Sequence, residues 1–125
     1  MCIRDRYDPT QGTFARVGSL LPSMRPRYGR TANLRNDGTL LVAGGYIVGH
    51  CGRGGYGVGT IHISKTDAAL FAPESDGFTA TGSLNASRYA HTATVLADGT
   101  VLITGGTERN GCTAAVTLAS AELFK

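Results

Sequence analysis

Several residue groups in this chain have types that could do chemistry. His50, Cys51 and His62 bring three metal-ligating side chains close together in sequence. Chelation favours donors at paired spacings such as CxxC or HxxxH, and no such pair is present, so no metal site is expected. The stretch GRGGYGVG, residues 52–59, has the glycine density of a phosphate cradle. A cradle of that kind needs a strand before it and a helix N-terminus after it. Here TIHIS follows, which reads as a strand, and no Lys-Ser/Thr pair is present. Arg25, Arg27, Arg30 and Arg35 form the densest basic group, in a half of the chain (residues 1–53) that carries +5 of a total of +3. A phosphate-binding patch is one reading. No aromatic platform or helix accompanies these arginines, so solvated loop side chains are the preferred reading and no nucleic acid partner is expected. These patterns yield no catalytic residue and no cofactor.

The elements that would position such groups follow from composition and from repetition. The chain has 125 residues, 18 of them glycine, and only 17% are charged, which leans towards β structure with many turns. Apolar runs such as LLVAG and VLITG have the length of single strands, well short of the roughly 18 residues of a membrane span. The N-terminal MCIRDR has no apolar core of a secretory signal.

DGTLLVAGG (37–45) returns as DGTVLITGG (98–106). Without gaps, 7–20 lies over 71–84 and 27–45 over 88–106, and AELF at 121–124 echoes AALF at 68–71. Fifteen of those 33 paired positions are identical, so the chain is a repeat array. Each copy predicts four strands. TANLR and TATVL lead to Asp-Gly turns, because glycine takes positive φ at no steric cost. TLLVAGG and TVLITGG return, apolar at consecutive positions as suits strands buried on both faces. A third strand is expected around Asp67–Phe71 and a fourth at Phe78–Thr81. One such antiparallel sheet cannot cover both of its faces, so copies must stack.

The Gly-Gly pair after an apolar strand, the ELF/YDP segment, the fourth-strand aromatic (Phe14, Phe78) and the following Arg-Tyr-x-His together resemble kelch repeats. DGTVLITGG with ASAELF is similar to bacterial kelch proteins and to the central propeller of galactose-oxidase-like enzymes. The resemblance covers residues 7–125; it departs from the family in having Phe where tryptophan is common. It implies an all-β fold, a partial β-propeller of four-stranded antiparallel kelch blades, about two and a half in number. It implies residues 7–26 as outer strands of a first blade and linker, 27–87 as a complete blade with a long loop between second and third strands at 46–65, and 88–125 as an incomplete blade. Residues 1–6 read as a foreign prefix, since Arg4-Asp5-Arg6 stand where a buried third strand would be apolar. The whole reads as a fragment, because propellers close with about four to eight blades.

Alternating strand directions bring the 46–65 loop and the LPSMRP linker (21–26) to one face of such a propeller. Loops on a rigid scaffold usually carry function. Arg27, Arg53 and Tyr56 are therefore the candidate ligand-binding residues, neutral loop-length drift being the competing account. Cys51 and Cys112 lie six residues beyond Gly45 and Gly106 and so hold corresponding places. They are a candidate disulfide in an oxidising compartment. Equivalent points on neighbouring blades stand well apart, whereas bridged Cα atoms lie within about 7 Å, which favours two free thiols. His91 occupies the column of Arg30, and Arg27/Arg88 and Tyr28/Tyr89 recur, which points to scaffold roles.

Three functions remain open: a non-catalytic binding or scaffold module for a protein or glycan; part of a galactose-oxidase-like extracellular copper oxidase whose active site lies outside these residues; and a structural repeat of a surface or adhesion protein. The oxidase relatives hold copper by Tyr and His side chains with a Cys–Tyr crosslink, and no position here matches that constellation. The expected partners are a protein or glycan ligand and the remaining blades, with an extracellular or periplasmic location preferred.

Overall fold

The computed structural model describes residues 5–18, 21–22, 27–53 and 56–125, with the backbone alone described at 53 and 56–58. The described residues form several antiparallel sheets and no helix, hence no helix long and apolar enough to cross a membrane. Two hairpin strands, β1 (Asp5–Asp8) and β2 (Thr13–Arg16), come first. The first large sheet has β3 (Thr31–Leu34), β4 (Leu40–Ala43), β7 (Ala68–Ala72) and β8 (Gly77–Ala80) in the order β3-β4-β7-β8. The second has β9 (Thr92–Val95), β10 (Val101–Thr104) and β13 (Ala121–Phe124), with β10 central. Between them lie two hairpins, β5 (Tyr46–Arg53) with β6 (Tyr56–Ser64), and β11 (Thr107–Glu108) with β12 (Val116–Thr117).

The turns are written locally. Asp37 accepts hydrogen bonds from the Thr39 hydroxyl (2.6 Å) and N–H (3.0 Å), and Asp98 from Thr100 likewise (2.7 and 3.0 Å). Those donors, the hydroxyl first, hold both carboxyls below the usual aspartate range. Gly38 and Gly99 then take φ of 84° and 87°, which closes each turn.

Strand alternation decides the packing. Leu41 and Ala43 of β4 with Ala68 of β7 face Val101 and Ile103 of β10, and these five are the main core, with Leu70, Leu84, Ala93, Val95 and Phe124 packed around it. On the other side of the first sheet Val42 and Ala69 are covered by Leu21, Leu40 and Phe78. Strand β4 is thus buried on both faces, as its unbroken apolar run requires.

One expectation needs correction. The 46–65 segment is not an irregular loop: it is an antiparallel hairpin, β5–β6, with a register shift between Cys51 and Arg53, in which Ile47 lies opposite Ile63 and Gly49 opposite Ile61. A Cβ at Gly49 would lie 2.5 Å from Ile63 Cδ1, so any larger residue there would make the Ile63 side chain shift. Strand β1 begins at Asp5, and its Asp5–Tyr7 stretch is exposed.

Candidate functional site

The Gly-Gly ends of β4 and β10 lie at the same end of their sheets, opposite the Asp-Gly turns, and both hairpins leave the sheets from that end. Glycine is needed at the junction between the sheets. Gly44 (φ 66°) would place a Cβ 2.6 Å from the Arg88 carbonyl oxygen and 2.7 Å from His91 Cε1. Gly45 N–H donates to the Arg88 carbonyl (2.9 Å), and Ala90 N–H to that of Gly29 (2.9 Å). These bonds lock the first sheet to the second beside the hairpins.

Four rings meet there. Tyr28 and Tyr46 bridge through their backbones, as do Tyr89 and Thr107. Tyr46 leads into β5 and His62 comes from β6, so the hairpin register brings them together: their rings stack at 3.9 Å and 19°. Tyr28 stacks on Tyr46 at 5.4 Å, while Tyr89 meets Tyr46 edge-on at 4.9 Å and His62 at 5.7 Å. Such contacts are worth about 0.5–1.5 kcal/mol each beyond area burial. Tyr46 and Tyr89 are half-buried, but Tyr28 is 54% exposed. The cluster ends in an aromatic ring open to solvent on a rigid base.

The hairpins are tied above this cluster. Cys51 and Cys112 are joined in a disulfide with Cα atoms 5.7 Å apart. The free thiols favoured by the sequence reading give way because β5–β6 leans onto the following hairpin. Ser64 N–H donates to the Arg109 carbonyl (3.0 Å), and Arg109 N–H to Ser64 Oγ (2.9 Å). Ser64 Oγ also meets the buried Ser87 hydroxyl at 2.7 Å.

The three residues expected to bind ligand are not brought together as a group. Arg27 is buried, at 3% exposed, and pairs with Asp67 across the base of the sheet, so it cannot present its guanidinium to a ligand. Arg53 and Tyr56 face each other across the tip of the β5–β6 hairpin, and their side chains lie outside the described residues, as do Arg25 and the 23–26 part of the LPSMRP linker. Tyr46 and His62 were missed because only the hairpin register makes them neighbours. Among the described residues no three His, Cys, Asp or Glu side chains are grouped to hold a metal ion.

His91 Nε2 lies 2.8 Å from the Thr31 hydroxyl, across the boundary between the sheets. A hydroxyl–imidazole pair can form the core of a nucleophilic site, but it needs access and a third group orienting the ring. His91 is buried and lacks the access such a site needs, so this pair reads as a structural fastener. Burial, and then the Arg88 charge, hold the imidazole below the usual histidine range of 6.5. The unfolded chain therefore takes up a proton that the folded chain refuses. The His91 contribution is complete above about pH 6.5 and is lost as the pH falls through the lowered value. Thermal melts from above pH 6.5 down to about 5 should show the wild type losing more stability than His91→Gln. Parallel pH curves would remove His91 as the cause.

Set against models of known protein families the chain matches none, and no curated protein matches it.

Proposed function

We propose that this chain is a non-catalytic binding module built from kelch-type propeller blades, and that its ligand is a glycan resting on the Tyr28 ring. The blade reading is supported by the way the two large sheets relate. Each runs up and down in order from its first strand, and equivalent strands β3 and β9 lie side by side, linked by Asn33 Nδ2 donating to the Ala93 carbonyl (3.0 Å). The front of one sheet meets the back of the next, the relation of blades around an axis.

The observation that carries the ligand reading is the exposed Tyr28 ring at the end of the Tyr46–His62 stack. Pyranose rings present flat C–H faces that pack on an aromatic face, while their hydroxyls stay at a polar rim. The exposed His62 imidazole beside the stack supplies a polar group for such hydroxyls. A tyrosine already stacked from behind loses little side-chain freedom on binding, which favours affinity. A protein-binding face would be expected to present a broader apolar centre than a single ring.

Screening against immobilised neutral oligosaccharides, followed by titration of the best one, tests this. Tyr28→Ala should weaken binding at least tenfold, about 1.4 kcal/mol, with the melting temperature little changed. Arg53→Ala and Tyr56→Ala measure whether the hairpin tip contributes. Unchanged affinity in Tyr28→Ala would move the site elsewhere.

A further inference from the structure

The chain has four asparagines, and the fold treats one of them differently. Asn33 Nδ2 donates to the Ala93 carbonyl (3.0 Å) and Asn36 Nδ2 to that of Ala97 (3.4 Å), so both fasten the first sheet to the second. Asn110 is held from two sides, its Nδ2 donating to Glu108 Oε1 (3.2 Å) and its Oδ1 accepting from the Ser87 hydroxyl (3.2 Å). Asn85 is exposed: its backbone N–H donates to Glu122, but its side chain makes no hydrogen bond among the described residues. It sits in the linker between β8 and β9, outside any strand. Asn85 is also the one that heads an Asn-x-Ser triplet, Asn85-Ala86-Ser87, with no proline in the middle. The corresponding linker of the preceding copy, LPSMRP, has no asparagine, so the triplet is not a repeated scaffold column.

We propose that Asn85 is an acceptor for N-linked glycosylation, its donor substrate an oligosaccharide carried on a polyisoprenoid diphosphate. An exposed asparagine with a hydroxyl residue two positions on is the pattern that such transfer reads. In the transfer Nδ2 bonds to the anomeric carbon of the first sugar. The bond from that carbon to the carrier's diphosphate breaks, the diphosphate takes the electron pair, and one Nδ2 proton passes to a base of the transferase. The Cys51–Cys112 bond is a separate observation pointing the same way: disulfides persist in oxidising compartments, the compartments in which this transfer takes place. The fold also sets the order of events. Ser87 is buried, and its hydroxyl lies 2.7 Å from that of Ser64 and 3.2 Å from both Glu108 and Asn110. A transferase must reach that hydroxyl, so the sugar is added before the linker docks against the two hairpins. Once the linker is docked, the exposed Asn85 side chain carries the sugar without breaking a contact.

The full chain, exported behind a cleavable leader through the secretory pathway of an N-glycosylating yeast, tests the site by intact mass. The wild type should carry a glycan that peptide-N-glycosidase removes, and release in heavy-oxygen water should leave the label at position 85. Asn85→Gln keeps the backbone bond to Glu122, so it should melt like the deglycosylated wild type while losing the glycan entirely. Ser87→Ala should lose the glycan and Ser87→Thr should keep it. Asn110→Gln, which removes the Asn-Gly-Cys triplet at 110–112, should leave it in place. Given purified transferase and lipid-linked oligosaccharide, the reduced, unfolded chain should be modified and the folded, oxidised chain should not. A wild type secreted without a glycan overturns the proposal, as does a glycan that survives Asn85→Gln. Equal modification of the folded and unfolded chain overturns the order of events.

Discussion

Replacing Arg88 by methionine should lower the stability of this chain by about 3–5 kcal/mol, a large share of the roughly 5–15 kcal/mol that holds a domain folded. Arg88 is fully buried, and both terminal nitrogens of its guanidinium have specific partners. One terminal nitrogen donates to the Gly105 carbonyl (2.8 Å) and the Ser120 carbonyl (3.1 Å). The other donates to the Ser120 hydroxyl (3.0 Å) and to Glu122 Oε2 (2.8 Å). The arginine thus pins the end of β10 to the entry of β13. Glu122 also accepts from the backbone N–H groups of Asn85 and Ala86 (2.5 and 3.2 Å), which ties the linker into the same knot. Burial alone would raise that carboxyl; the two N–H groups and the Arg88 guanidinium outweigh it and hold it below the usual glutamate range.

Methionine fills the arginine stem but leaves the Glu122 carboxylate and two carbonyls without their donor, and unpaired buried charge is what makes such substitutions severe. At a few degrees per kcal/mol, the melting temperature should fall by about 10–20 °C. Arg27, in the same column of the preceding copy, is a built-in control. Its partner Asp67 is 37% exposed, so water can take over when the arginine is lost. Arg27→Met should cost clearly less. Adding Glu122→Gln to Arg88→Met should restore part of the loss, because the amide oxygen can still accept from one of the two linker N–H groups without leaving a charge unpaired. Equal losses at the two arginines, or no recovery in the double variant, would show that packing rather than charge pairing governs this site.

The arginines also show where sequence reading stops. Arg27 and Arg88 were legible as a repeated column, and repetition does point to the scaffold. Their partners were not legible, since Asp67 and Glu122 lie 40 and 34 residues away and in different columns of the repeat, Asp67 just before β7 and Glu122 within β13. Arg27 was therefore proposed as a ligand contact when it belongs to the interior. The turns read better, because Asp37-Gly38-Thr39 and Asp98-Gly99-Thr100 close through bonds between near neighbours. Strands β3, β4, β9 and β10 read well for the same reason, each being anchored by such a turn. The 46–65 segment read as a loop because glycine is a poor strand residue. The useful signal was the Gly54-Gly55 pair between two runs with strand-forming residues, Tyr46, Ile47 and Val48 before it and the alternating Ile61 and Ile63 after it, a two-residue hairpin pattern. Once that hairpin forms, Tyr46 and His62 become neighbours, and the aromatic cluster follows from register alone.

Reduction of the Cys51–Cys112 bond should be the second large effect. The crosslink closes a loop of 61 residues, and constraint of the unfolded chain on that scale is worth about 4 kcal/mol in the chain-entropy account, with about 2–4 kcal/mol typical of measured cases. The loss should not be spread evenly. The core between the large sheets lies at Leu41, Ala43, Val101 and Ile103 and does not depend on the bond. The β5–β6 hairpin depends on it more, for its other anchors all lie at its base: the Tyr28–Tyr46 backbone bridge, the bonds of Ser64 to Arg109 and Ser87, and the ring stack. Hydrogen exchange on the reduced protein should accelerate most in 46–64 and 107–117, and least in β4 and β10. In a Cys2→Ser background, thiol labelling should find no reactive cysteine before reduction and two after it. Cys51→Ser should melt like the reduced wild type, by the same measure. The glycan surface should suffer with the hairpin: Tyr46 and His62 support Tyr28 from behind, so reduction should weaken any ligand that Tyr28→Ala releases. Oxidised and reduced protein that melt together would show that the two hairpins are held by their hydrogen bonds and rings alone.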